Sequence, residues 1–367
     1  MNMKRIPVYE PSLDGNELTY VTECIRSGWI SSQGRYVDEF EAEFASYCGC
    51  RFGVATSSGT TALHLALVSL GVGAGHEVII PTLTFVATAN AVSYTGAEVQ
   101  LCDVSRKTWT IDCDSLSRLL SPATRAVVVV HLYGQPAEME LLRTITDRAG
   151  VPIIEDAAES HGARTTAGMV GGLGRVGVFS FYGNKIITTG EGGMLTTNDA
   201  ALAERARHLR DHAMSPDKRY LHTEVGFNYR MTNLQAAVGL AQLERIDELL
   251  ERKRWVEGYY REGLQDVEAI EWREHQPWSS DVPWLVTCQY DGPVSALREA
   301  LSSRGIETRP LFVPMHRQPM YARQGQFEAA ESISRRGLSL PSSPTLTEAD
   351  LERVCTVIHD FERGRTT

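Results

Sequence analysis

At 367 residues, with 43% hydrophobic and 22% charged residues, the chain has the composition of a globular protein that can bury a large core in one or two closely packed domains. Its net charge of −10, from 36 basic and 46 acidic residues, argues against nonspecific nucleic-acid binding, which needs a cationic face. No apolar run is long enough to span a bilayer, and the first residues lack the apolar stretch of a signal peptide. The seven cysteines are scattered without a CxxC pair, a pattern of reduced cytoplasmic thiols with no metal site.

In chain order, an extended Pro-containing arm precedes a helix predicted over 16–27, with a short apolar stripe at Leu18, Val21 and Ile25. From about 35 to 245, helical and strand patterns alternate, which predicts an α/β domain. Strands are predicted at 78–80, 126–131, 151–155, 176–181 and 193–197. A long helix is predicted to start near Asn233, with apolar residues at Leu234, Ala237, Val238, Ala241, Ile246 and Leu249, and to end in Glu251-Arg252-Lys253-Arg254. It links a predicted large domain, residues 1–249 including the arm, to a smaller one, 250–367, which turns irregular around 278–281. Gly172-Leu173-Gly174-Arg175-Val176-Gly177 matches G-x-G-x-x-G, but its glycines precede a strand instead of following one, so it reads as a tight connection and not a dinucleotide site.

Three segments carry chemistry. In Phe179-Ser180-Phe181-Tyr182-Gly183-Asn184-Lys185, an apolar strand delivers one lysine to a turn, with a Gly/Thr-rich loop behind it. A lysine placed this way can form a Schiff base with a carbonyl cofactor; the alternative is a solvated surface lysine. Val151-Pro152-Ile153-Ile154-Glu155-Asp156 reads as a buried strand with an acid at its C-terminal end, where open α/β sheets bind ligands. Asp156 is the candidate partner for the ring nitrogen of pyridoxal 5'-phosphate (PLP), or else a cap for a following helix. Ala55-Thr56-Ser57-Ser58-Gly59-Thr60-Thr61 precedes a helical run and reads as a phosphate cup or an ordinary N-cap.

Together, and with Ser27-Gly28-Trp29-Ile30-Ser31-Ser32, His131-Leu132-Tyr133-Gly134-Gln135, Gly226-Phe227-Asn228-Tyr229-Arg230-Met231 and Glu307-Thr308-Arg309-Pro310, these segments resemble the DegT/StrS-type sugar aminotransferases over nearly the whole chain. The resemblance implies the fold type I architecture of PLP-dependent aminotransferases: an α/β large domain around a mostly parallel sheet flanked by helices, plus a smaller C-terminal α/β domain. It implies Lys185 as covalent anchor and general acid/base, and Asp156 against the pyridine nitrogen. Phe85 would stack on the ring and Glu159 would meet its hydroxyl. Ser58, Gly59, Thr60 and Ser180 would hold the phosphate, with Asn228 and Arg230 reaching it across a homodimer interface. Some relatives carry histidine at the position of Lys185 and dehydrate instead, so lysine favours transamination.

On the substrate side the resemblance implies Trp29, Ser31, Ser32, His161, Arg309, His316 and Tyr321. L-glutamate would leave the cofactor as pyridoxamine 5'-phosphate, and the keto carbon of a nucleotide-linked sugar would take the amine. Within the family the likeness is strongest to enzymes that aminate GDP-linked 4-keto-6-deoxymannose at C4. Departures from their pattern at Pro283-Trp284 and Val313 leave open a dTDP- or UDP-linked sugar and C3 amination. A reading from another class is a non-catalytic PLP-binding regulator; the chain has no DNA-binding appendage to support it.

Overall fold

The computed structural model describes residues 4–322 and 325–366, so the first three residues of the predicted arm lie outside the described residues. The strands are β1 (Phe52–Thr56), β2 (Glu77–Pro81), β3 (Glu98–Cys102), β4 (Thr124–Val130), β5 (Ile153–Asp156), β6 (Arg164–Thr165), β7 (Gly168–Met169), β8 (Val176–Ser180), β9 (Gly193–Thr197), β10 (Ile270–Trp272), β11 (Ser279–Ser280), β12 (Thr287–Tyr290), β13 (Arg309–Pro310) and β14 (Gly337–Ser339). The helices are α1 (Glu17–Ser27), α2 (Arg35–Tyr47), α3 (Gly59–Ser69), α4 (Val86–Tyr94), α5 (Cys113–Leu119), α6 (Met139–Ala149), α7 (Ala200–Arg210), α8 (Asn233–Leu243), α9 (Ile246–Gly263), α10 (Val294–Ser303), α11 (Glu328–Arg336) and α12 (Glu348–Thr366).

Seven strands form one sheet in the order β1-β9-β8-β5-β4-β2-β3. β8, β5, β4, β2 and β3 run parallel, and β9 is antiparallel to its neighbours β8 and β1. Runs such as Val78-Ile79-Ile80 and Val127 to Val130 suit strands that are covered on both faces. Val78, Ile80, Val128 and Ile154 pack with Leu63, Val92 and Leu202 of α3, α4 and α7. Ile79, Val127, Val129 and Ile153 pack with Leu116 and Leu142 of α5 and α6 on the other side. The five predicted strands fall on β2, β4, β5, β8 and β9. β1 and β3 are not predicted, because Phe52-Gly53-Val54-Ala55-Thr56 and Glu98-Val99-Gln100-Leu101-Cys102 carry too few consecutive apolar residues.

A second sheet, β10-β12-β14-β13, packs with Tyr260 of α9, Leu297 and Leu301 of α10, and Leu351, Val354 and Ile358 of α12. The N-terminal arm, expected to accompany the large domain, joins this cluster. Ile6 is buried in it and exchanges main-chain hydrogen bonds with Gly305 and Glu307, both at 2.9 Å. The helix predicted from Asn233 to Arg254 is two helices: α8 stops at Leu243, Arg245 leaves helical geometry at φ −113° and ψ 11°, and α9 continues to Gly263. The halves serve different neighbours. α8 lies against α1 and α2, while α9 carries Val256 and Tyr260 into the core of the second sheet. α9 thus spans the predicted boundary between 249 and 250.

The stripe predicted for α1 is not its buried face within this chain. Leu18 and Ile25 are exposed, whereas Glu17 and Cys24 are buried against α8. Gln242 Nε2 donates to Glu17 Oε1 at 2.6 Å, which satisfies the buried acid. Among the described residues no helix is long and apolar enough to cross a membrane.

The G-x-G-x-x-G run has a structural reason. The fully buried Glu155 carboxylate accepts main-chain N–H bonds from Gly171 (2.8 Å), Leu173 (2.8 Å) and Gly174 (2.6 Å), and one from His131 Nε2 (3.0 Å). A β-carbon on Gly174 would lie 2.9 Å from the Ile153 oxygen and 3.2 Å from Glu155 Cγ. The run therefore wraps a protein carboxylate. Glu155→Ala would strand three amides and an imidazole in the interior. The expected loss is about 3–5 kcal/mol of unfolding free energy in urea denaturation.

Candidate active site

The C-terminal ends of the parallel strands open into a cavity of about 380 Å³. β5 ends on Asp156, β8 ends on Ser180, and the turn after β8 presents Lys185. The N-terminus of α3 supplies Ser58, Gly59 and Thr60, and the residue that precedes α4 is Phe85. All of these line the cavity, together with Glu159 and Arg309. The topology explains the convergence. β5 and β8 are adjacent and parallel, with Asp156 opposite Val178, so both deliver their following loops to the same edge.

Lys185 is nearly buried, with Nζ 3.8 Å from Glu159 Oε1 and 3.9 Å from the ring centroid of Trp284. Burial pushes its ammonium below the usual lysine range, and Glu159 and Asp156 pull it back in part. Burial also pushes Glu159 up to about 7 and raises Asp156. Each carboxylate is held. Thr88 Oγ1 donates to Asp156 Oδ2 at 2.8 Å, and the Tyr133 N–H donates to Glu159 Oε2 at 2.8 Å. Such a lysine, whose ammonium is destabilised and whose acids are fixed, suits a nucleophilic amine that exchanges protons.

The predicted phosphate cup lies at the start of α3. Ser58 caps the helix reciprocally with Thr61: Thr61 N–H donates to Ser58 Oγ at 3.2 Å, and Ser58 N–H to Thr61 Oγ1 at 3.0 Å. A β-carbon on Gly59 would lie 2.7 Å from Ser180 Cβ, so the helix start is pressed against the end of β8. Glycine permits that approach, and it leaves a helix N-terminus with hydroxyls facing the cavity. A cup for a dianion, an acid at a strand end and a lysine on one wall are the donor set that PLP requires. The residues present fit that cofactor.

Other candidates lie elsewhere. His161 is fully buried among Phe44, Phe179 and Phe181, with ring centroids 5.3–6.3 Å away, and its pKa is pushed down to about 3 by burial. It does not line the cavity. His316 is buried too. Its ring bonds Thr82 Oγ1 at 2.8 Å and Glu331 Oε1 at 3.1 Å and stacks on Phe327, so it ties the chain after β13 to the sheet. Tyr321 hydrogen-bonds Asn90 and Ser93 of α4, outside the cavity. Trp29, Ser31 and Ser32 pack beside the start of α8, where Asn233 Nδ2 donates to the Trp29 oxygen at 2.7 Å, away from the cavity of the same chain. Asn228 is exposed and Arg230 pairs with Asp211; neither lines the cavity of its own chain.

Several contributors were not anticipated. Thr88 lies three residues after Phe85, and that spacing into α4 was its one sequence signal. Trp284 gives no such signal, because it comes from an irregular loop more than 90 residues after Lys185 in the chain. Tyr133 has φ 49° and ψ 32°, a left-handed conformation costly for a bulky residue. The strained turn turns its amide onto Glu159 and stacks its ring on Trp284 and Phe312.

A family model described as the DegT/DnrJ/EryC1/StrS aminotransferase family matches residues 11–359. The chain belongs to that family. It is 47% identical over 360 residues to a GDP-perosamine synthase of Caulobacter vibrioides, covering 96% of this chain and 97% of that one. A GDP-perosamine synthase of Escherichia coli O157:H7 is 41% identical, covering 98% of this chain and 99% of its own. The structure superposes with a TM-score of 0.94 on the aminotransferase TlmJ from Streptoalloteichus hindustanus, at 32% identity, covering 98% and 100% of the two chains. The fold is thus type I, and the protein is a PLP-dependent sugar aminotransferase.

The Glu159 shift has a consequence for stability without cofactor. A carboxyl raised from 4.5 to about 7 favours the protonated form in the fold. Its stabilising contribution is complete below about 4.5 and is lost as pH rises through about 7. Glu159→Gln keeps an acceptor for the Tyr133 amide and removes this dependence. Its urea stability relative to wild type should therefore increase from pH 4.5 to 7. A flat difference across that window contradicts the shift.

Proposed function

We propose that this protein transfers the amino group of L-glutamate to C4 of GDP-4-keto-6-deoxymannose, making GDP-perosamine, as a cytoplasmic homodimer. The observation that carries the chemistry is the seating of Lys185 between Glu159 and Trp284, in one cavity with Asp156 and the start of α3. The substrate assignment is supported by the identity to two GDP-perosamine synthases over nearly the full chain.

Bound PLP supplies an electron sink and carries the amino group from donor to acceptor. In this reading Lys185 anchors the cofactor covalently, takes the proton from the donor's α-carbon and returns one at C4 of the sugar. Asp156 holds a proton on the pyridine nitrogen. Glu159 meets the ring hydroxyl, and Phe85 covers the ring. Ser58, Gly59, Thr60 and Ser180 bind the phosphate. Arg309 lines the cavity and makes no side-chain hydrogen bond or ion pair among the described residues. Its guanidinium is therefore available to a carboxylate or phosphate of the substrates.

Dimerisation follows the same line. Leu18, Ile25, Trp29 and Ile30 are exposed on and just after α1, and Val225 on the loop before Asn228. A face of this kind is suited to a second copy. The partner subunit's Asn228 and Arg230 would then complete the phosphate site, and the partner subunit's Trp29, Ser31 and Ser32 would border the sugar nucleotide.

The test follows visible absorbance of PLP-loaded protein. L-glutamate should bleach the band, and GDP-4-keto-6-deoxymannose should restore it while dTDP-4-keto-6-deoxyglucose does not. Recovery with the dTDP sugar alone overturns the substrate. Lys185→Ala should lower turnover by at least about 10³-fold, measured as 2-oxoglutarate release.

A further inference from the structure

Lys253 lies on α9, outside the cavity, and is almost completely buried with no carboxylate partner among the described residues. A buried amine without a counter-ion is costly, and burial holds it well below the usual lysine range. Methionine would fill similar volume without that cost, so packing alone does not account for a lysine here.

Its contacts point toward the catalytic turn. Lys253 Nζ donates to the Trp284 oxygen at 2.5 Å and to the Ser342 oxygen at 2.7 Å, and it sits 4.7 Å over the Tyr9 ring. Trp284 and Tyr9 in turn hold two consecutive carbonyls of the turn that bears Lys185. Trp284 Nε1 donates to the Asn184 oxygen at 2.6 Å, and Tyr9 Oη donates to the Lys185 oxygen at 2.6 Å. The indole face also meets Lys185 Nζ at 3.9 Å. Trp284 stands outside the strand ladders, so Lys253 supplies the donor for its buried carbonyl. The N-terminal arm, the loop before β12 and α9 therefore meet at one amine.

We propose that Lys253 is a positioning residue for transamination: by bracing Trp284 and Tyr9 it fixes the main chain and the approach of Lys185. This rests on the reading of Lys185 as the cofactor-bearing lysine. Bracing matters because the segment that bears Lys185 is closed by only two main-chain bonds of its own among the described residues, Lys185 N–H to the Tyr182 oxygen and Thr189 N–H to the Phe181 oxygen, both at 2.9 Å. A displacement near 1 Å at a reacting nitrogen can cost about 10²-fold in rate.

The experiment uses cofactor-free protein. PLP is added, growth of the visible band is timed, and the product is reduced with borohydride and mapped by peptide mass. Lys253→Met should slow capture at Lys185 by about tenfold or more, and lower kcat with glutamate by a similar factor, leaving the glutamate KM within about twofold. Tyr9→Phe and Trp284→Phe each remove one bond to the turn and should slow capture in the same direction. Lys253→Met should add little on top of the pair, because all three act through one brace. Wild-type capture and kcat in folded Lys253→Met overturn the proposal, as do effects that simply multiply. If Lys253→Met does not fold, wild-type capture by both Tyr9→Phe and Trp284→Phe overturns it. A reduced label on a residue other than Lys185 in the wild-type protein overturns the underlying reading instead.

Discussion

An amine and two carboxylates lie almost buried in one pocket at the end of two neighbouring parallel strands, and much of the surrounding structure can be understood from that constraint. Water would stabilise all three charges; the fold withdraws it and replaces it in part. Lys185 is offered Glu159 and an indole face, Asp156 is offered the Thr88 hydroxyl, and Glu159 is offered the Tyr133 amide. The compensation is incomplete. The amine is held below its ordinary range and the carboxyls above theirs, Glu159 at about 7, which suits the group to proton exchange.

Holding such a cluster demands a rigid support, and the sheet provides it one residue away. Glu155 points to the opposite side of β5 from Asp156, where three amides and His131 take up its carboxylate. The His131 amide donates to the Asp156 oxygen at 3.1 Å, so the same histidine anchors the strand end through its main chain. The turn after His131 then bends Tyr133 into a left-handed conformation. Gly134 follows, and a β-carbon there would lie 1.6 Å from the Val282 oxygen. The strain aims one amide at Glu159 and brings the chain into contact with the loop that carries Trp284.

Local segments announced themselves in the sequence. An apolar run that ends in Asp156, a strand that delivers Lys185 to a turn and a hydroxyl-rich start to α3 are all contiguous, and each acts through a short piece of chain. Five strands were legible for the same reason, since Val/Ile runs mark strands buried on both faces. The break between α8 and α9 was not, because the apolar period continues across it while the packing partners change. Nor were the places of His161 and His316. A histidine near a motif looks the same whether it faces a ligand or is enclosed by Phe44, Phe179 and Phe181.

The sequence by itself therefore determined an α/β chain with a lysine, an acid and a hydroxyl-rich helix start that suit one cofactor. These are properties of short segments, set by side-chain period and by the chemistry of single residues. Tertiary structure alone decided that Trp284 covers Lys185, that the arm reaches the turn bearing Lys185 through Tyr9, and that Lys253 joins them. Those contacts link positions far apart in the chain, and no local pattern encodes which distant carbonyl a buried amine will meet.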